Sequence, residues 1–341
     1  MAVDYLFKFI LFLAEAITVV VAIVFVVASI ISLSTKGRER TKDQISVKNI
    51  SNKFIEMKEI LQSEILDKKQ LKEIEKKRKA KEKEEKNKEE TKPRSFVINF
   101  DGDTEASQVE NLREEITAIL TVAEKEDEVV ICLESPGGMV HTYGLAASQI
   151  NRIKQKEIPL TIIVDKVAAS GGYLMACIAD KLKAAPFAII GSIGVVMQLP
   201  NFNKVLKKYD VDYEMITAGE YKRTLTVLGE NTEKARVKAK EEVDEVHDLF
   251  KGFVNKYRPE LDLTKVATGE HWFGQQALEL GLIDEIETSD DYLMSISEDR
   301  EIFEVTKVEK LSLKEKLAAT ADLSFNKIWN SFFKKNSTNI Q

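Results

Sequence analysis

The chain has 341 residues, 44% of them hydrophobic and 31% charged, and a formal net charge of −6. That length is enough for a sizeable core in one or two domains plus appendages, and the acidic balance argues against nucleic acid as a general partner. Cys132 and Cys177, the two cysteines, supply no disulfide framework and read as small buried hydrophobes.

From Phe9 to Leu33 the sequence is almost wholly apolar, broken by Glu15, Thr18 and two serines. About 25 helical residues rising roughly 1.5 Å each reach about 37 Å, enough to cross a bilayer with some tilt. The run is longer than the roughly 7–15-residue core of a cleaved signal peptide, so residues 1–35 are expected to be a retained transmembrane anchor. Lys36, Arg38, Arg40, Lys42 and Lys48 follow it while only Lys8 precedes it, a distribution that favours a cytoplasmic main body.

Residues 36–93 read as a connector. Val47, Ile50, Phe54, Met57, Leu61 and Ile65 recur at three- and four-residue intervals and mark one face of an amphipathic helix. Lys68 to Lys92 is nearly all lysine and glutamate, the composition of a solvated helical or disordered spacer.

After Pro93 strands and helices alternate. Strands are predicted over Ser95–Phe100, Val129–Leu133 and Leu160–Val164. Helices are predicted over Val109–Ala123, with Leu112, Ile116, Ile119 and Leu120 inward, and over Tyr143–Lys154. This rhythm indicates βαβ units and a largely parallel sheet, with sites at the carboxyl ends of strands. Two glycine-rich turns stand at such ends: Ser135-Pro136-Gly137-Gly138 and Ser170-Gly171-Gly172. The run Ala184–Leu199 is apolar but interrupted by Pro186, Gly191 and Gly194, so core strands are expected rather than a second span. Val211–Thr217 alternates like a strand, Thr232–Tyr257 reads as a long helix, and 275–280 and 290–295 read as shorter helices.

A serine in a strand-to-helix turn has an exposed hydroxyl, small neighbours and a helix N-terminus beside it, the setting of a nucleophile. A helix N-cap uses the same residues, so Ser170 alone leaves both readings open. A serine nucleophile needs a base. Of the three histidines, His141 follows the first glycine turn, whereas His247 lies on the long helix and His271 in an apparent packing segment. No two of them have metal-ligand spacing, and no metal or cofactor is expected. A lysine can serve instead if its pKa falls from about 10.4 to near 7–8; Gly219-Glu220-Tyr221-Lys222-Arg223 offers one after a predicted strand.

Ser135-Pro136-Gly137-Gly138, Ala168-Ala169-Ser170-Gly171-Gly172-Tyr173, Gly191-Ser192-Ile193-Gly194 and Gly219-Glu220-Tyr221-Lys222, in that order, resemble the motifs of the signal-peptide peptidase A (protease IV) family. The anchor, spacer and single catalytic segment resemble its SohB branch, over residues 1 to 305. The resemblance implies a ClpP/crotonase-like spiral of βαβ units over 94–305; beyond it, residues 306–341, with Leu323, Phe325, Ile328, Trp329, Phe332 and Phe333 among several lysines, read as an amphipathic tail. It implies a serine endopeptidase with Ser170 as nucleophile, Lys222 as general base and Ser192 orienting the lysine. The N–H groups of Gly138 and Gly171 would form the oxyanion hole. It also implies extended, largely apolar peptide or unfolded-protein substrates and homo-oligomers whose sites combine residues of neighbouring protomers. The family's catalytic domain generally lies outside the cytoplasm, so the expected location is the bacterial inner membrane with an extracytoplasmic body, against the flanking charges. The rival readings are a crotonase-type acyl-CoA enzyme and a non-catalytic membrane scaffold.

Overall fold

The structure, a computed structural model, describes residues 8, 9, 11–13, 15, 18, 44–74, 76 and 92–308. Most of the expected anchor at 9–33, most of the charged run and the tail beyond 308 lie outside the described residues. Among the described residues no helix is long and apolar enough to cross a membrane.

β1 (Gln44–Asn49) leads directly into α1 (Ile50–Ile65), whose start is fixed by the Asn49 side chain accepting from the Asn52 N–H at 3.0 Å. The amphipathic face predicted from Val47 therefore begins at Ile50, because Val47 belongs to the strand. Ile50 and Phe54 pack on the core, whereas Met57, Leu61 and Ile65 are exposed.

The predicted alternation follows as β2 (Arg94–Asp101), α2 (Val109–Leu120), β3 (Glu128–Glu134), α3 (Val140–Gln155) and β4 (Leu160–Val164). The chain continues through β5 (Val167–Ala169), α4 (Gly171–Ala176), β6 (Lys181–Ala184) and β7 (Ile189–Gly191). It ends with α5 (Asn203–Lys208), α6 (Glu233–Tyr257), α7 (Leu263–Val266), β8 (His271–Phe273), α8 (Gly274–Glu279), β9 (Glu285–Ile286), α9 (Ser289–Ile296) and β10 (Glu301–Val308).

The fold is mixed α/β with a largely parallel sheet. Seven strands lie in the order β1-β10-β2-β3-β4-β6-β9, and the pairings from β10 through to β9 are all parallel. Such a sheet needs cover on both faces, and the side-chain alternation supplies it. Ile98, Ile131 and Ile162 enter the main core with Leu112 and Ile116 of α2 and Ile150 of α3, while Val97, Val130 and Ile163 face Tyr292 and Leu293 of α9 on the other side.

Three expectations need correction. The Leu160–Val164 strand does not run into the Ser170 turn; Asp165 and Lys166 bend the chain out of the large sheet into β5, part of a second sheet ordered β5-β7-β8. The apolar run to Leu199 supplies core strands only as far as Gly191, and Val196, Met197 and Leu199 are exposed. Val211–Thr217 forms no strand: it is irregular and exposed throughout, and among the described residues no sheet edge pairs with it.

Candidate active site

β5 and β7 are parallel, with Ala169 opposite Gly191. The two strands therefore deliver Ser170 and Ser192 side by side at their carboxyl ends. Both serines have φ 51°, a conformation that side-chain-bearing residues rarely adopt. The Ser170 N–H donates to the Gly191 carbonyl at 2.8 Å, and the Ser192 N–H donates to the Glu270 carbonyl at 2.7 Å. The backbone thus holds both turns, and strain of this kind concentrates where geometry serves function.

Ser170 occupies the N-cap position of α4, yet its side chain makes no capping hydrogen bond. The commoner explanation of a serine before two glycines is thereby removed, and the hydroxyl is left available. Ser192 Oγ donates to the Gly269 carbonyl at 3.4 Å, a long bond that another acceptor could replace.

The first glycine turn is seated directly on the Ser170 turn. Ser135 bridges to Ala168 in parallel, its N–H donating to Val167 and its carbonyl accepting from the Ala169 N–H at 3.0 Å. A Cβ on Gly137, at φ 84°, would lie 2.6 Å from the Gly171 nitrogen and 2.8 Å from the Ser170 Cβ. Only glycine permits that approach. Gly138 is packed as closely on the other side, where a Cβ would lie 2.7 Å from the Thr104 Cα.

Amide accounting singles out two donors. The Gly137 N–H is taken by Ser135 Oγ at 3.1 Å and the Met139 N–H by the Thr104 carbonyl at 2.9 Å. The Gly138 N–H between them has no acceptor among the described residues, nor has the Gly171 N–H in the first turn of α4. Two free amides beside an uncapped serine can stabilise an oxyanion.

The lysine is not part of this cluster. Lys222 is exposed on the irregular segment before α6, its N–H donating to the Gly219 carbonyl at 3.2 Å, and no hydrogen bond or ion pair among the described residues joins its amine to either serine. The segment is anchored near it: the Tyr221 ring lies under Lys238, 5.6 Å from the centroid, and Thr224 Oγ1 donates to Glu242 at 3.3 Å. Of the histidines, His141 is exposed in the first turn of α3 and His247 lies on α6. His271, read as a packing residue, stands opposite Gly191 in the β7–β8 pair, one residue from Ser192. Sequence reasoning also passed over Tyr143, which is fully buried with its ring beneath Gly171. Its position on an Ala- and Gly-bearing helix face was the available signal. Among the described residues no group of three His, Cys, Asp or Glu is placed to hold a metal ion. Burial pushes both thiols up to about 12, which leaves them inert.

Comparison with known proteins assigns this arrangement to a lineage. Residues 4–150 match the model described as Peptidase family S49 N-terminal, and residues 152–302 match Peptidase family S49. The Probable protease SohB of Haemophilus influenzae is 57% identical over 242 residues, 71% of this chain and 69% of that protein. The Probable protease SohB of Buchnera aphidicola subsp. Acyrthosiphon pisum is 52% identical over 246 residues, 72% of this chain and 73% of its own. The chain belongs to peptidase family S49, in its SohB branch. It is a protease, and the acyl-CoA and scaffold readings fall away. Among solved structures, a mutant of the 1510-N membrane-bound stomatin-specific protease aligns over 68% of this chain and 99% of its own, with TM-score 0.42 and 16% identity; a likeness that loose bears on no detail.

Proposed function

We propose that this member of the S49 family is a membrane-anchored serine endopeptidase that cleaves extended, largely apolar peptides or unfolded segments through an acyl-enzyme. The observation that carries the reading is the pair of free amides, Gly138 and Gly171, beside the strained and uncapped Ser170. Ser170 Oγ attacks the scissile carbonyl while Lys222 takes its proton. The carbonyl oxygen becomes an oxyanion held by the two N–H groups. Collapse breaks the C–N bond, the amine leaves with the proton from Lys222, and water then hydrolyses the ester by the same route.

The lysine comes from a neighbouring protomer, and Ser192 turns from the Gly269 carbonyl to orient its amine. Two features support assembly. Lys222 is solvent-exposed in one protomer, and closing a protein contact over an amine supplies the desolvation that lowers its pKa. The segment leading to it also exposes Val196, Phe202, Tyr209, Met215 and Ile216, the last at 96%. Exposed apolar side chains in such number mark an interaction surface, and a second copy fits it because the missing base would arrive with it. Residues 9–33 anchor the assembly in the bacterial inner membrane. The catalytic region of 94–305 has the ClpP/crotonase-like spiral and lies on the extracytoplasmic side.

The test is cleavage of an unstructured protein by the purified full-length chain, with fluorophosphonate labelling in parallel. Ser170→Ala should lose both labelling and cleavage, and Lys222→Ala should lose cleavage. If Lys222→Ala stays active while His271→Ala or His141→Ala is dead, the base is wrongly assigned.

A further inference from the structure

The Gly138 amide is free because its two neighbours are committed, and the commitment of Gly137 traces to a buried chain of hydroxyls. Tyr143 Oη lies 2.6 Å from the Asp103 carbonyl oxygen and 2.5 Å from Ser135 Oγ. Ser135 Oγ lies 3.1 Å from the Gly137 nitrogen. Both side chains are fully buried.

The proton directions follow from one end. A carbonyl can only accept, so the Tyr143 hydroxyl donates to Asp103. Its single proton is then committed, and the Tyr143 oxygen accepts from Ser135. Ser135 Oγ has given its own proton and accepts from the Gly137 N–H. Burial raises the Tyr143 phenol above its ordinary value and keeps it protonated for this role. The far end is fixed too: Asp103 Oδ1 accepts from both the Glu105 and the Ser107 amides, at 3.1 and 2.9 Å, which closes the loop that carries its carbonyl.

We propose that Tyr143 and Ser135 form a one-way hydrogen-bond relay that draws the Gly137 N–H inward and thereby aims the next amide, Gly138, at the oxyanion. The relay rests on the reading of Ser170 as nucleophile and Gly138 as oxyanion donor. Tyr143 and Ser135 touch no substrate and are positioning residues. With the relay intact, the Pro136–Gly137 peptide faces the core and the Gly137–Gly138 peptide faces the site. Loss of Ser135 Oγ leaves the Gly137 N–H with no buried acceptor, and loss of Tyr143 Oη leaves the Ser135 proton with none, so that the hydroxyl rotates and turns its lone pair from the Gly137 N–H; in either case rotation of the turn misaims Gly138. The Tyr143 ring supports the other donor as well, since a Cβ on Gly171 would lie 2.8 Å from the Tyr143 Cδ1.

Full-length wild type, Tyr143→Phe, Ser135→Ala, the double variant and Ser170→Ala are compared in detergent. The readouts are kcat per fluorophosphonate-titrated serine, KM for a peptide substrate, and inhibition by a peptide aldehyde whose hemiacetal oxygen occupies the oxyanion position. Tyr143→Phe keeps the ring and should lower kcat about 10- to 100-fold with KM unchanged. Aldehyde affinity should fall by the same factor. Ser135→Ala should match it, and the double variant should fall little further, because the two act as one unit. Wild-type kcat per titrated serine in Tyr143→Phe, with fewer serines titrating, is general damage and overturns the relay. So does a kcat loss without loss of aldehyde affinity. An active Ser170→Ala overturns both this proposal and the nucleophile reading, whereas an inactive Ser170→Ala with unimpaired Tyr143→Phe and Ser135→Ala overturns the relay alone.

Discussion

Gly138→Ala is the sharpest perturbation of the proposed site. The new Cβ would lie 2.5 Å from the Thr104 carbonyl carbon and 2.7 Å from its Cα, and closer still to its oxygen. These are backbone atoms, so no side-chain rotation relieves the clash. Restoring carbon–carbon contacts of about 3.5 Å needs roughly 1 Å of movement. The movement must come from the Gly138 turn or from Thr104, which also holds the Met139 N–H at 2.9 Å. A displacement of about 1 Å in a reacting geometry is worth up to about 10²-fold, and outright loss of an oxyanion donor about 10²–10³-fold. We therefore expect kcat to fall about 10²-fold with KM little changed, alongside a destabilisation of about 1–3 kcal/mol from overpacking. Gly144→Ala is the control: nothing lies within 4 Å of its Cβ position inside α3, so it should keep full activity and gain about 0.5–1 kcal/mol. The assay is kcat per titrated serine together with thermal unfolding. Gly138→Ala turning over within threefold of wild type, against a dead Ser170→Ala, would refute the oxyanion assignment.

Other consequences are as direct. Ser170→Gly removes the proposed nucleophile but also relieves a backbone at φ 51°, so it should be inactive and about 1 kcal/mol more stable than Ser170→Ala by denaturant unfolding. Ile216→Glu places a charge on the most exposed apolar residue of the Lys222 segment; sedimentation should show smaller species without cleavage, at an unchanged circular dichroism spectrum. Mixing Ser170→Ala with Lys222→Ala chains before assembly should restore part of the activity if the proposed sites are composite, because mixed assemblies would then contain intact ones. Burial raises the Glu115 carboxyl despite its hydrogen bond from the Lys307 N–H at 2.7 Å. A raised folded-state pKa means stability present in acid that is lost as pH rises through it. Glu115→Gln should accordingly raise the melting temperature at neutral pH, with the gap closing as pH falls below the ordinary glutamate range.

What the sequence disclosed about this molecule follows physical lines. Leu160–Val164 and Thr232–Tyr257 were legible because their patterns are set by local burial and by an N-cap, Thr232, that accepts from the Ala235 N–H. β5 was not, since three residues that switch sheets have no period of their own. Val211–Thr217 has a strand's alternation but pairs with no strand among the described residues, a property no local pattern contains. Within the site, the glycine motifs named the turns correctly as turns. The direction in which each amide points was hidden, because it depends on Tyr143 and Ser135 meeting eight residues apart across a buried contact. The approach of His271 to the Ser192 turn was hidden for the same reason: antiparallel pairing of β7 with β8 joins segments far apart in the chain.

The position of β10 has a bearing on how such a chain is made. Glu301 pairs with Arg94 and Phe303 with Phe96, so the last strand of the region lies beside the first strand of the alternating βα series, with β1 outside it. During synthesis the β2 edge, which carries Phe96, Val97 and Ile98, stays open until residue 308 has left the ribosome. Parallel pairing of such remote segments is slow, and an open apolar edge invites the wrong partner. A chain cut short before Glu301 would carry every proposed site residue and still lack the strand that closes its sheet.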